Sequence, residues 1–231
     1  MNKTFIIAEL GINHGGSLKV AKKLIDSAVR SGVDAVKFQT YLTEKRVKKN
    51  SPIYGILKKC ELSYKDFQIL KSYSEKKEVE FMSTPFDEKS LSLLMDIGID
   101  LIKIASFDLG NLPLIEKIAK CKLPTVISTG GGKIDHIKAS IKILSKYNSN
   151  IAILHCVSEY PCEIGSLGLK KIKTLQKIFP EFSIGLSDHF NGILSGPIAY
   201  MMGARVFEKH VTLNRAWKGS DHNFALEPNG F

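Results

Sequence analysis

Two lysines interrupt apolar runs, Lys37 in AVKFQT and Lys103 in LIKIAS. Burying an ammonium without a partner is costly, so each must face an anion. That anion is either a carboxylate of the chain, Glu9 or Glu208, or a phosphate or carboxylate of a ligand. Thr84, Ser106, Ser128 and Ser187 follow at the ends of neighbouring apolar runs, and hydroxyls beside lysines suit a phosphate. Another use of Lys103 is as a Schiff-base nucleophile, which needs a depressed pKa in an apolar pocket. His189 and His210 close the last two runs. Converging imidazoles can ligate a divalent metal, with Asp188, Glu208 and Glu9 as further ligands or as their supports. Either histidine reads equally well as a hydrogen-bonded residue at a rim. GINHGG and STGGGK are glycine-rich but match neither the dinucleotide fingerprint nor the Walker loop. Gly130 to Gly132 read instead as a tight turn whose amides could reach an anion.

These groups need a frame that gathers the ends of the runs. Short β-branched stretches at 5–10, 35–39, 80–83, 101–105, 125–128, 151–156, 183–186 and 205–209 predict strands. Amphipathic stretches at 18–31, 64–77, 88–96, 112–120, 134–147, 169–179 and 193–202 predict the helices between them. The first carries Leu18, Ala21, Leu24, Ile25 and Ala28 on one stripe, the spacing of a helix lying on a sheet. Ser17 can cap its free amides, and Pro180 closes the sixth. Strands alternating with helices imply parallel βαβ units. Eight of them in 231 residues predict an α/β fold, a (β/α)8 TIM barrel whose eighth helix is missing or truncated. The active site of such a barrel lies at the C-terminal ends of its strands. Those ends also carry Asn13, His14, Gln39, Ser83, Thr129, His155, Ser158 and Tyr160. The long connection 40–62 is expected to be functional or mobile.

Composition narrows the class. Hydrophobic content of 44% and charged content of 24% are those of a globular chain. No apolar run reaches the length of a membrane span and no secretory signal opens the chain, so a cytoplasmic protein is expected. The net charge of +10 comes from scattered lysines rather than a contiguous stripe, which argues against nucleic acid. Cys60, Cys121, Cys156 and Cys162 lack paired spacing and are expected to be reduced thiols, Cys156 packed rather than reactive.

The segments IAELGINHGG, DAVKFQTY, FMSTPFD, IKIASFDLGN, ISTGGG, HCVSEYP, GLSDH, FEKHVTLNR and GSDHNFALEP occur in this order. The chain thereby resembles the sialic acid synthase family, the N-acetylneuraminate, legionaminate and pseudaminate synthases, along essentially its whole length. The resemblance implies a transferase that condenses phosphoenolpyruvate with an open-chain N-acylhexosamine of N-acetylmannosamine type, releasing phosphate. It implies a divalent cation, manganese with magnesium or cobalt as alternatives, held by His189 and His210. Phosphoenolpyruvate would lie against Lys37, Thr84, Lys103, Ser106, Ser128 and Ser187. Ser158 stands where the family often has Asn. The sugar would meet Glu9, Gln39, Tyr160 and Asp221, and the catalytic set would be Glu9, Lys37, Lys103 and His210.

Family members commonly add a C-terminal antifreeze-like domain that supplies an arginine to the partner's sugar site in a swapped dimer. The chain is expected to be the barrel domain alone, 1–231, with a homodimer as the precedent, and a fragment is favoured over a minimal synthase. The connections at 40–62 and 161–167 look shortened. A phosphorylated acceptor would require extra basic groups at the pocket mouth, for which Lys45, Arg46 and Arg215 are available. The alternatives are a Schiff-base aldolase using Lys103, or a catalytically impaired barrel that binds anionic sugars.

Overall fold

The computed structural model describes residues 3–231. Its strands are β1 (Phe5–Gly11), β2 (Ala35–Thr40), β3 (Glu80–Pro85), β4 (Leu101–Ile104), β5 (Thr125–Ser128), β6 (Ile151–Cys156), β7 (Ser183–Asp188) and β8 (Val206–His210). They close into a barrel in chain order, every neighbouring pair parallel. This is the TIM barrel that the alternating pattern predicts.

The helices are α1 (Leu18–Arg30), α2 (Thr43–Arg46), α3 (Tyr54–Cys60), α4 (Tyr64–Lys76), α5 (Glu88–Asp96), α6 (Leu112–Lys120), α7 (Ile134–Leu144), α8 (Lys171–Ile178) and α9 (Ser195–Met201). Local chemistry fixes several starts. Ser17 accepts from the Val20 amide at α1, Ser63 and Asp66 form a capping box at α4, and Asp87 accepts from Ser90 at α5. The helices α7, α8 and α9 are shorter than their apolar stretches suggest. The residues just outside them are held by turn hydrogen bonds, as in Lys171 to the Gly168 carbonyl. The connection after β2 is also not irregular. It folds into α2 and α3, tied down by Tyr41 to the Leu57 carbonyl and by Thr43 to Glu61.

Strand periodicity then decides what faces inward. Ile7, Ala35, Met82, Val126, Leu154 and Val206 form a small apolar cluster inside the barrel. Side chains alternate along a strand, so positions two residues on share its face. Those positions are Glu9, Lys37, Thr84, Ser128, Cys156 and Glu208, with Lys103 and Ser187 on β4 and β7 at the same level. An apolar floor thus carries a polar ring. On β7 the floor position is Gly185, where a Cβ would lie 2.0 Å from the Val206 carbonyl oxygen; only glycine lets β7 and β8 approach there. The larger core lies between the strands and the helices.

Among the described residues no helix follows β8, in keeping with the predicted absence of an eighth. Instead the chain turns back toward the strand ends. Leu226 N donates to the His210 carbonyl and Thr212 N to that of Leu226, which buries Phe224, Ala225 and Leu226. Among the described residues no helix is long and apolar enough to cross a membrane. The four cysteines are free thiols.

Candidate active site

The polar ring opens into a cavity of about 740 Å3 at the C-terminal ends of the strands. Its base is an alternating charge network. Lys37 Nζ lies 2.6 Å from Glu9 and 3.7 Å from Glu208 and donates to Thr84 at 3.3 Å. Lys103 Nζ is 3.1 Å from Glu208, which also accepts from Ser187 at 2.8 Å. All four charged groups are buried. The anions that Lys37 and Lys103 require are therefore supplied by the protein itself, and the ring is neutral before any ligand arrives.

The electrostatics follow from that sharing. Burial alone would raise the Glu208 carboxyl, but Lys103 and Lys37 together hold it far below the usual carboxylate range. Burial pushes both lysines down. Glu208 and Glu9 carry Lys37 above its ordinary value, whereas Lys103, with a single carboxylate that it shares, stays below.

Two glycines show how the remaining groups converge. A Cβ at Gly11, in the left-handed region at φ 51°, would lie 3.1 Å from Glu9 Oε1, 3.3 Å from Asp221 Oδ2 and 3.4 Å from Gln39 Nε2. Gln39 donates to Glu9 at 2.8 Å and accepts from Arg46 at 3.1 Å. At Gly130 a Cβ would crowd Ser158 Oγ, Ser106 Oγ and Cys156 Sγ, while the Gly130 amide donates to Ser106 at 2.9 Å. This is the tight turn read from the sequence.

The histidines stand together, their ring centroids 5.5 Å apart. His189 Nδ1 is 2.7 Å from the Val157 carbonyl, so that nitrogen carries the proton and the Nε2 lone pair is left open. The Cys156 thiol is 3.9 Å from the same nitrogen. Burial lowers His189, but contacts with Cys156 and Val157 outweigh it and the net shift is upward. Burial drives His210 down to about 3, keeping it a neutral imidazole, the form that ligates metals. Its Nδ1 is buried without a hydrogen-bond partner, Asp221 standing 3.5 Å away. Among the described residues no cluster of three or more His, Cys, Asp or Glu donors is assembled. The residues that would hold a divalent ion in this cavity are the two imidazoles, His189 and His210.

The residues to which the resemblance gives substrate, metal or catalytic roles all line this one cavity. Other polar residues at the strand ends turn away: Ser83, Thr129, His155 and Asp188 fall on the opposite phase of the alternation, and Asn13 and His14 lie in the turn beyond β1. Asn13 donates to the Val211 carbonyl, His14 accepts from Gly16, Ser83 and Thr129 bond backbone carbonyls, and His155 contacts the Leu167 carbonyl. Asp188, a candidate ligand or support, instead pairs with Lys209 at 2.7 Å and accepts from Ser195. Reading the strand ends overlooked Phe224, whose ring is 4.8 Å from that of His210, and Phe86 and Phe107, which line the mouth. Phe224 reaches the site only through the returning tail.

A parallel barrel with a charge-balanced lysine–glutamate ring beside two imidazoles defines a catalytic barrel, and comparison with known proteins gives its family. Residues 24–231 match the NeuB family, and the chain belongs to it. It is 42% identical to an uncharacterized protein of Methanocaldococcus jannaschii, over 99% of this chain and 68% of that one. It is 39% identical to the N,N'-diacetyllegionaminic acid synthase of Legionella pneumophila, over 97% of this chain and 68% of the relative. The solved N-acetylneuraminic acid synthetase of Leptospira borgpetersenii superposes with a TM-score of 0.96 at 39% identity, covering 99% of this chain and 80% of that one. The homologues are sialic-type acid synthases.

Proposed function

We propose that the chain condenses phosphoenolpyruvate with the open-chain form of an N-acylated hexosamine of N-acetylmannosamine type, giving a nonulosonic acid and phosphate. The observation that carries this reading is the convergence of Lys37, Lys103 and four hydroxyls on one cavity beside His189 and His210. Ser128 Oγ and His210 Nδ1 are buried there without partners, as atoms awaiting ligands are. The ring's own charges cancel, so a polyanionic substrate is best accommodated together with a cation. That favours a divalent metal, manganese first, on the two histidines. When bound, such an ion polarises the acceptor aldehyde as a Lewis acid.

The chain's residues then have distinct tasks. Lys37, Lys103, Thr84, Ser106, Ser128 and Ser187 hold the phosphate and carboxylate. The two ammonium groups offset charge as the enol carbon attacks and its neighbour becomes oxocarbenium-like. Water adds at that neighbour, and the tetrahedral adduct expels phosphate by C–O cleavage. Glu9, bonded to Gln39 and paired with Lys37, is placed to move a proton at an acceptor hydroxyl. Tyr160, its ring 4.0 Å from that of His189, and Asp221 bound the sugar side. Ile53, Ile56 and Phe107, exposed by 48%, 47% and 80%, give the lip of the cavity an apolar wall for the acyl group.

Phosphoenolpyruvate labelled with heavy oxygen at the bridging position tests the chemistry: the label is expected in the released phosphate. Its recovery in the sugar acid would refute C–O cleavage. The lowered Lys103 favours the Schiff-base reading, but its Nζ is already paired with the Glu208 carboxylate at 3.1 Å. Borohydride with pyruvate is accordingly expected to leave the chain unlabelled, and a reduced adduct on Lys103 would reverse the choice.

A further inference from the structure

Three side chains with permanent or near-permanent positive charge line the cavity, Lys37, Lys103 and Arg46. The two lysines are matched by carboxylates. Among the described residues Arg46 forms no ion pair; its polar contact is one N–H to Gln39 Oε1 at 3.1 Å. Its guanidinium lies 3.8 Å from the Phe86 ring centroid and 4.8 Å from that of Tyr41. Stacking fixes the plane of the group without using the N–H donors on its edge. Arg46 is thus pre-oriented, and most of its five donors remain for a ligand.

Its position gives the ligand's location. Arg46 is the outer end of the chain Arg46–Gln39–Glu9–Lys37, so it stands on the acceptor side of the anion ring. Arg215, by contrast, is exposed and spends its guanidinium on the Asn223 carbonyl and Asn191, and Lys45 borders a separate, smaller cavity. The segment 43–60 around Arg46 carries Lys45, Lys48, Lys49, Lys58 and Lys59 besides Arg46, against Glu44 alone. Lys58 is paired with Glu44 and Glu61 and none of these lysines lines the cavity, so Arg46 is the cation of this segment that faces it.

We propose that Arg46 determines acceptor specificity by binding a phosphate monoester on the hydroxyl of the acceptor sugar farthest from the reacting carbonyl. This rests on the condensation reading above. A guanidinium edge matches phosphate oxygens in a bidentate fork, and a neutral sugar would leave that edge unused.

Titration calorimetry on the full chain tests it with three probes: N-acetylmannosamine, its 6-phosphate, and phosphoenolpyruvate. The unaltered chain is expected to bind the sugar phosphate at least about tenfold more tightly than the neutral sugar. Arg46→Gln should bring that ratio to within about twofold, and Arg46→Lys should retain part of it, because a point charge keeps attraction but loses the fork. No preference in the unaltered chain, or a preference that survives Arg46→Gln, overturns the proposal. A loss of phosphoenolpyruvate affinity equal to that for the sugar phosphate overturns it too, by placing Arg46 on the other substrate. Preference without phosphate release from phosphoenolpyruvate with either sugar would refute the condensation and leave Arg46 assigned. Turnover with the neutral sugar alone would do the reverse.

Discussion

Glu208→Gln is expected to destabilise the ligand-free chain by about 3–5 kcal/mol, the usual cost of stranding a buried charge. Glu208 is the carboxylate that Lys103 pairs with and that Lys37 shares, and glutamine keeps its shape while removing its charge. For a chain of this size the loss corresponds to a melting temperature roughly 10 °C lower. Phosphoenolpyruvate should then stabilise the variant more than the unaltered chain. Its anionic groups meet lysines for which no carboxylate of β8 competes. Thermal melts of both proteins, with and without ligand, decide the matter. A ligand-induced shift no larger in the variant would show that the substrate does not bind at these lysines.

Acid should weaken the fold through histidines buried as neutral rings. Burial lowers His14 from 6.5 to about 4, and its Nδ1 accepts the Gly16 amide at 3.0 Å, a bond that protonation removes. The unfolded chain therefore binds this proton more readily than the folded one. The stabilisation is complete above the unfolded value near 6.5, falls as pH drops below it, and levels off under about pH 4. By pH 4.5 the loss from His14 amounts to about 2.5 kcal/mol. Urea titrations at pH 7 and 4.5 should show a drop of at least this size. In His14→Asn, which keeps an acceptor for Gly16, the drop should shrink by about the same amount. An unchanged pH dependence in that variant would assign the acid sensitivity elsewhere.

The barrel was legible because each strand announces itself by a short apolar run and each helix by a stripe, and the site because strand ends of a barrel converge. What strand ends alone do not give is phase. His155 and Asp188 are as polar and as terminal as Lys103 and Ser187, yet they face away from the cavity. Counting two residues from the floor, from Ile7 to Glu9, from Val126 to Ser128 and from Val206 to Glu208, separates the two sets. Three features lay beyond local pattern. The helices α2 and α3, with 4 and 7 residues, are too short for periodicity to show, so the sequence gives no sign of what orients Arg46. That Glu208, rather than Glu9, is the partner of Lys103 and is shared with Lys37 depends on closure of the barrel, which brings β8 to β4 and β2. Phe224 reaches His210 only through the bond from Leu226 to the His210 carbonyl, which no short-range signal encodes.

Release of inorganic phosphate from phosphoenolpyruvate, measured with and without manganese against N-acetylmannosamine and its 6-phosphate, tests the proposed chemistry most directly. Release that requires both sugar and metal, and that falls by about a thousandfold or more in His210→Ala, is the expected result; removal of a group on which the chemistry depends carries losses of that order. Release that persists undiminished in His210→Ala, or that proceeds equally without sugar, would contradict it.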